Sequence, residues 1–306
     1  VAAPASGAAA SSARDSMLEL SILLPAILNG LTTGAIYALI ALGLTLIYGV
    51  LHIINFAHGS LLMLALYGVF FLHSLFGIDP YLALPIAAAA LFAVGYGLQR
   101  LIIGHASHGK DENILLVTLG LSVIIENLAL YLWRSDTRTI DTPYSFEVVD
   151  FGVAFIPVPK VIAFFGALLV AALLWLLMAR TDLGRAIRAL AKERQGAKLV
   201  GINVEHIFAM SFGIGCACLG VAACLLLPSF YVSPQVGHAF VLVAFTVVVL
   251  GGMGSFVGAL LGGLIIGVTE SLGGLFLGES LGQLGIFLIF IIVLLFRPTG
   301  LLGQRA

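Results

Sequence analysis

The chain has 306 residues, of which 61% are hydrophobic and only 9% charged, with a net charge of −1 and a mean hydropathy of +1.15. Soluble domains carry roughly 25% charged residues, so the composition excludes an ordinary soluble domain and implies a polytopic membrane protein. The balanced charge offers no global field for nucleic acid, and no nucleic-acid partner is expected.

Residues 1–16, VAAPASGAAASSARDS, are Ala/Ser-rich and polar. Arg14 is offset by Asp15, unlike the basic start of a signal peptide, and Met17 is a more natural beginning. The segment is expected to be a flexible extension, a cloning remnant or an over-long start, outside the fold. Residues 17–306 are expected to form a single transmembrane domain.

Apolar runs of about 17–25 residues can span the hydrocarbon core. They lie near 22–48, 58–76, 82–103, 113–133, 161–179, 208–227, 238–253, 256–276 and 280–296. The fold class is therefore all-α, a bundle of 8–10 spans. Two short junctions, 49–57 and 251–255, are each either an ordinary loop or a break inside the membrane. Small residues at spacing four, Gly30 and Gly34 in the first span and Gly254, Gly258 and Gly262 later, suit close helix packing. Cys216, Cys218 and Cys224 share one apolar run and read as small core residues rather than a disulfide framework or a metal site.

Basic excess marks cytoplasmic loops. Arg100 with Lys110 places 104–112 inside, and Arg297 with Arg305 places the C-terminus inside. Alternating the spans puts 77–81, 134–160, 228–237 and the N-terminus outside. The loop 180–207 carries six of the fourteen basic residues: Arg180, Arg185, Arg188, Lys192, Arg194 and Lys198. Charges at bilayer depth are costly, so this island is cytoplasmic. Leu183, Ile187, Leu190 and Ala191 fall on one helical face, Asp182 can cap the start, and Gly196 and Gly201 can bend or end it. A short amphipathic helix of this kind either lies on membrane lipid or seats in a partner's groove.

Two motifs stand out in the apolar sequence. In His52–Gly59, HIINFAHG, polar Asn55 and His58 are expensive in lipid unless satisfied, and commonly line a pathway; Gly59 permits an irregular turn. The bland alternative is a cytoplasmic turn. In Thr246–Gly258, TVVVLGGMGSFVG, the glycines Gly251, Gly252 and Gly254 precede Ser255, which can cap the next helix. This is either a tight hairpin or a second broken helix, and paired breaks in the two halves of a chain point to a transport site. Glu126 and Glu270 lie within apolar runs and either meet a cation, line a wet path or hydrogen-bond between helices. Gly104–Lys110 has phosphate-loop spacing, but Asp111 stands where Ser or Thr should bind magnesium, so nucleotide binding is rejected.

The stretches Leu28–Gly59, Thr181–Val204, Val247–Ser271 and Arg297–Gly303 resemble, in order, the branched-chain amino acid permease family of bacterial ABC importers, in particular its LivH-like subunits. The resemblance covers the chain from Met17 onward. It implies a multi-pass permease of the bacterial inner membrane, without an ATPase site or cofactor of its own. It also implies a second LivM-like permease subunit, two cytoplasmic ATPase subunits and a periplasmic substrate-binding protein. Related families import urea, amides or aromatic acids, and an autonomous carrier or channel is an alternative of another class. The pathway residues then expected are Asn55, His58, Gly59, Thr246, Gly251, Gly252 and Gly254. The 180–207 loop resembles a coupling segment, with Gly184, Arg185, Arg188, Glu193, Ala197 and Gly201 as its contact or shaping residues.

Overall fold

A computed structural model describes residues 6–106, 111–150, 152, 154–297 and 300–302, with side chains described from Ile22 onward apart from 111–112, 279–280 and 283. The first helix, α1, runs Ser6–Leu51. Its backbone is helical from Ser6, so most of the segment expected to be a flexible extension continues α1. Alanine, which dominates that segment, is the strongest helix former.

The apolar part of α1, Ile22–Leu51, is followed by α2 (His58–Phe76), α3 (Leu84–Leu98), α4 (Gly104–Ala106), α5 (Asp111–Trp133), α6 (Val158–Arg180), α7 (Asp182–Lys192), α8 (Arg194–Leu199), α9 (Val204–Leu226), α10 (Val236–Gly251), α11 (Phe256–Leu277) and α12 (Glu279–Phe296). A π-helical turn, Gln99–Ile103, joins α3 to α4. Among the described residues seven helices are long and apolar enough to cross a membrane. Two shorter apolar helices, Val236–Gly251 and Leu284–Phe296, accompany them. Each of the nine apolar runs is thus a helix, and the fold is an all-α polytopic bundle.

α1 and α9 form its buried centre. Lipid supplies no hydrophobic drive between helices, so close backbone contact and dispersion hold them together. The glycines provide that contact. On α1, a Cβ at Gly30 would lie 2.6 Å from the Val268 Cα, and one at Gly34 2.6 Å from the Gly263 carbonyl, both on α11. A Cβ at Gly43 would lie 2.6 Å from the Gly215 carbonyl of α9. On the far side of α9, Gly220 abuts Ala87 and Gly95 abuts Cys216, which seats α3. The three cysteines are buried and free. Buried hydroxyls turn inward on their own helices, Ser211 donating to the Ile207 carbonyl (2.8 Å) and Thr246 to that of Leu242 (2.9 Å). This removes the cost of an unpaired donor in a non-aqueous core.

One end of the bundle is covered by residues 134–157. Two short antiparallel strands, β1 (Val148–Asp150) and β2 (Phe155–Pro157), pair Val149 with Ile156. Arg138 bridges to Val232, and the Tyr144 hydroxyl donates to Asp79 at 2.8 Å. α7 and α8 occupy the opposite end.

Candidate translocation pathway and coupling segment

α1 stops at Leu51, and His52 adopts a left-handed backbone (φ 55°) that a non-glycine residue rarely takes. The chain then turns back beside α1. The His58 ring Nε2 lies 3.0 Å from the carbonyl of Ile40, which is eleven residues, or roughly 16 Å of helix, before Leu51. α2 therefore starts deep within the bundle, and 52–57 is an unwound segment in which Ile53, Asn55 and Ala57 are buried while His52 and Phe56 are exposed; such backbone is tolerated at membrane depth where it is packed in protein or lines a wet cavity. Asn55 is 2% exposed and His58 0%. The Asn55 Oδ1 accepts from the Ala57 N–H (3.0 Å), and the Phe56 N–H reaches the Thr118 hydroxyl (3.4 Å). One turn on, the Ser60 and Ser122 hydroxyls are 2.6 Å apart. The Asn55 Nδ2 and His58 Nδ1 have no hydrogen-bond partner among the described residues.

The start of α10 meets the same point. A Cβ on Gly59 would strike the Gly237 carbonyl, and one on Gly237 would lie 2.5 Å from the Gly59 carbonyl. From there α2 runs toward the β1–β2 end, while α10 runs toward α7. The two N-termini abut beside Asn55 and His58, and both dipoles present their positive ends there. Aromatic rings flank the place: Phe56 stacks on Phe245 (6.1 Å), and Tyr37 meets Phe240 edge-on (6.1 Å).

Residues 251–255 form a tight hairpin between α10 and α11, not a second broken helix. Gly252 and Gly254 take φ of 101° and 86°, conformations that suit glycine. Ser255 caps α11 by accepting from the Gly258 N–H (3.1 Å). Gly251 packs against Gly258, and Leu301 donates to the Leu250 carbonyl at 2.8 Å. Of the seven expected pathway residues, Asn55, His58 and Gly59 come together. Thr246 lies further along α10 with its hydroxyl satisfied internally, and Gly251, Gly252 and Gly254 cluster at the α7 end near Gly49. The element that does meet the 52–59 break is the first turn of α10 at Gly237, which follows the loop Phe230–Gln235. Ser233-Pro234 reads as a loop; the remaining sequence signal was the shortness of the apolar run after it.

α7 is capped by Thr181, whose hydroxyl accepts from the Gly184 N–H (3.1 Å); Asp182 sits in the first turn instead of capping it. Gly184 is buried because a Cβ there would strike the Met178 carbonyl and lie 2.5 Å from that of Leu177. Ile187 and Leu190 face the bundle, and Arg185, Arg188 and Lys192 face out. Arg185 pairs with Asp182. Glu193 separates α7 from α8 and caps α8 through the Gln195 N–H (3.1 Å). Ala197 is buried, and Gly201 (φ 87°) ends the segment. Leu199 and Val200, which sequence pattern did not single out, are 88% and 76% exposed at its tip.

The acids have partners. Glu126 meets the His238 ring, with oxygens at 2.9 and 2.8 Å from Nε2, and ties α5 to α10. Glu270 on α11 faces Tyr37 and Lys160, and the Lys160 ammonium donates to Asn29 at 2.6 Å. The rejected phosphate loop falls partly outside the described residues, at 107–110, as do 298–299 of the C-terminal stretch.

Residues 26–296 match the profile of the family described as branched-chain amino acid transport system / permease component. The chain belongs to that family. It is 36% identical over 301 residues to the high-affinity branched-chain amino acid transport system permease protein BraD of Pseudomonas aeruginosa, covering 94% of this chain and 98% of that one. It is 33% identical over 292 residues to the corresponding permease protein LivH of Escherichia coli, covering 90% and 94%. It is 27% identical over 308 residues to the permease protein LivM of Escherichia coli, covering 89% and 68%. No solved structure matches the chain.

Proposed function

We propose that the chain is a membrane-spanning permease subunit of an ATP-driven importer, and that it translocates branched-chain or related amino acids handed over by a periplasmic binding protein. The observation that carries this is the meeting of the α2 and α10 N-termini beside the buried Asn55 and His58. Two positive helix ends and an unpaired amide N–H suit a carboxylate. Phe56, Phe245 and Phe240 suit an aliphatic side chain. Urea would use neither feature fully, so this site favours the amino-acid substrate over urea.

The partners are a second, LivM-like permease, two ATPase subunits and the binding protein. In this arrangement the chain lies in the bacterial inner membrane, with the α7–α8 segment and the C-terminus cytoplasmic and the N-terminus periplasmic. Leu199, Val200 and the Gly201 turn form the apolar knob that enters the ATPase. Arg185 and Glu193 rim it, while Gly184 and Ala197 hold it in shape. Relaying closure of the ATPases to the spans would alternate access.

The test is reconstitution. With ATPase, second permease and binding protein present, proteoliposomes should accumulate leucine only with ATP. Solute movement by the chain alone down an ion gradient, with no ATPase retained on purification, would overturn the proposal.

A further inference from the structure

An open cleft of ≈ 530 Å³ lies between the Thr45–Val50 turns of α1, the last turns of α6, α7 and the hairpin before α11. Its chemistry is divided. Arg188 and Lys192, one turn apart on α7, supply two cations, and no carboxylate lines the cleft among the described residues. Neither cation has an ion-pair partner among the described residues. At the floor, Thr45 is 0% exposed, and its hydroxyl has no hydrogen-bond partner among the described residues. A buried hydroxyl in apolar surroundings is costly unless something accepts from it. The outer wall is Trp175, Met253 and Val257, apolar side chains each about half exposed.

We infer that this cleft is a binding site for an anionic phospholipid of the leaflet on the α7 side. Its phosphate would be held by Arg188, Lys192 and the Thr45 hydroxyl, and an acyl chain would lie along Trp175, Met253 and Val257. Each half of the cleft explains one half of the ligand. Basic pockets between spans recognise anionic head groups, because the phosphate sits where the charge pair can reach it. Tryptophan favours the membrane–water boundary, where its ring is half in hydrocarbon, and Trp175 is five residues before Arg180, where α6 leaves the apolar region. An acidic protein partner would meet the two cations but would leave the Thr45 hydroxyl and the apolar wall unused. The inference requires only that the chain spans a membrane, and it stands apart from the substrate reading.

The test is native mass spectrometry of the full chain in neutral detergent, titrated with phosphatidylglycerol or phosphatidylcholine. Phosphatidylglycerol should be retained preferentially. Arg188→Gln with Lys192→Gln should weaken its binding about tenfold or more. Thr45→Val and Trp175→Ala should each weaken it less, and Lys198→Gln, outside the cleft, should leave it unchanged. Thr45→Val and Trp175→Ala also serve if the double variant folds poorly. Equal retention of the two lipids, or wild-type affinity in all these variants, would overturn the site. Full displacement by millimolar inorganic phosphate, with Trp175→Ala without effect, would mark a free-anion site and overturn the lipid assignment.

Discussion

Gly59 and Gly237 fill each other's side-chain space. The backbone of α2 touches the backbone of α10, and each residue's missing Cβ is occupied by the other's carbonyl oxygen. Alanine at either position forces the helix starts apart. Overpacking of this kind costs about 1–3 kcal/mol. Gly59→Ala and Gly237→Ala should each lower the thermal unfolding midpoint of the purified protein in detergent. Gly68→Ala should not, because nothing lies within 4 Å of a Cβ there.

Asn55 carries one satisfied and one unsatisfied group. Asn55→Ala removes the bond to the Ala57 N–H, worth about 1 kcal/mol, and also removes the unpaired Nδ2. The two changes offset, so stability should move little. ATP-dependent uptake should fall more than about tenfold, a loss of transition-state contact larger than the structural cost. If uptake merely tracks unfolding temperature, Asn55 is a structural residue.

The tip of the proposed coupling segment is apolar and open. Leu199→Asp with Val200→Asp should leave folding intact, because both side chains are largely exposed and surface changes usually cost less than about 0.5 kcal/mol. Retention of ATPase subunits on affinity purification should be lost. Arg185→Gln, on the rim, should weaken retention only modestly, as rim charges contribute little. Full retention in the double variant would remove Leu199 and Val200 from the interface.

Alkaline stability should have a defined origin at the β1–β2 end. Burial and the neighbouring Asp79 carboxylate raise the phenol of Tyr81, and burial with its hydrogen bond to Asp79 raises that of Tyr144, both well above the ordinary value of 10.0. Above pH 10 the unfolded chain releases these protons while the folded chain keeps them. Stability is therefore complete below pH 10 and falls as pH rises above it, with a slope below the full one-proton value because both tyrosines are partly exposed to solvent. Chemical denaturation from pH 9 to 11 should show this slope, and Tyr144→Phe should reduce it by about half.

Membrane helices announce themselves, because twenty apolar residues have few other uses. All nine runs are helices for that reason. The polarity of Asn55 and His58 marked an interruption after the first span without deciding between a turn and a break inside the bundle. Its depth was not legible, since it rests on the contact between His58 and Ile40, two residues whose spatial pairing no periodicity encodes. The hairpin at Gly252 and Gly254 shows the converse limit. A glycine pair reads the same whether the chain turns at a bundle end or unwinds inside it. The meeting of Gly237 with Gly59 was hidden by the ordinary loop composition ahead of α10. Amphipathic patterning did expose the buried face of α7 through Ile187 and Leu190. It could not expose Leu199 and Val200, because an apolar residue in a short helix looks like core until its surroundings are known.

α6 is held at both ends. At one, Gly184 lets α7 lie directly on the Leu177 and Met178 carbonyls, and Thr181 bonds to both sides of the corner. At the other, Lys160 is tied to Asn29 of α1. Between them run about 30 Å of continuous helix. In mechanical terms α6 and α7 form a bell crank, with the short arm outside the membrane and the long arm across it. Over that length a tilt of ~10° about the Thr181 corner corresponds to on the order of 5 Å at Lys160, the residue hydrogen-bonded to Asn29 on the helix that carries Ile40.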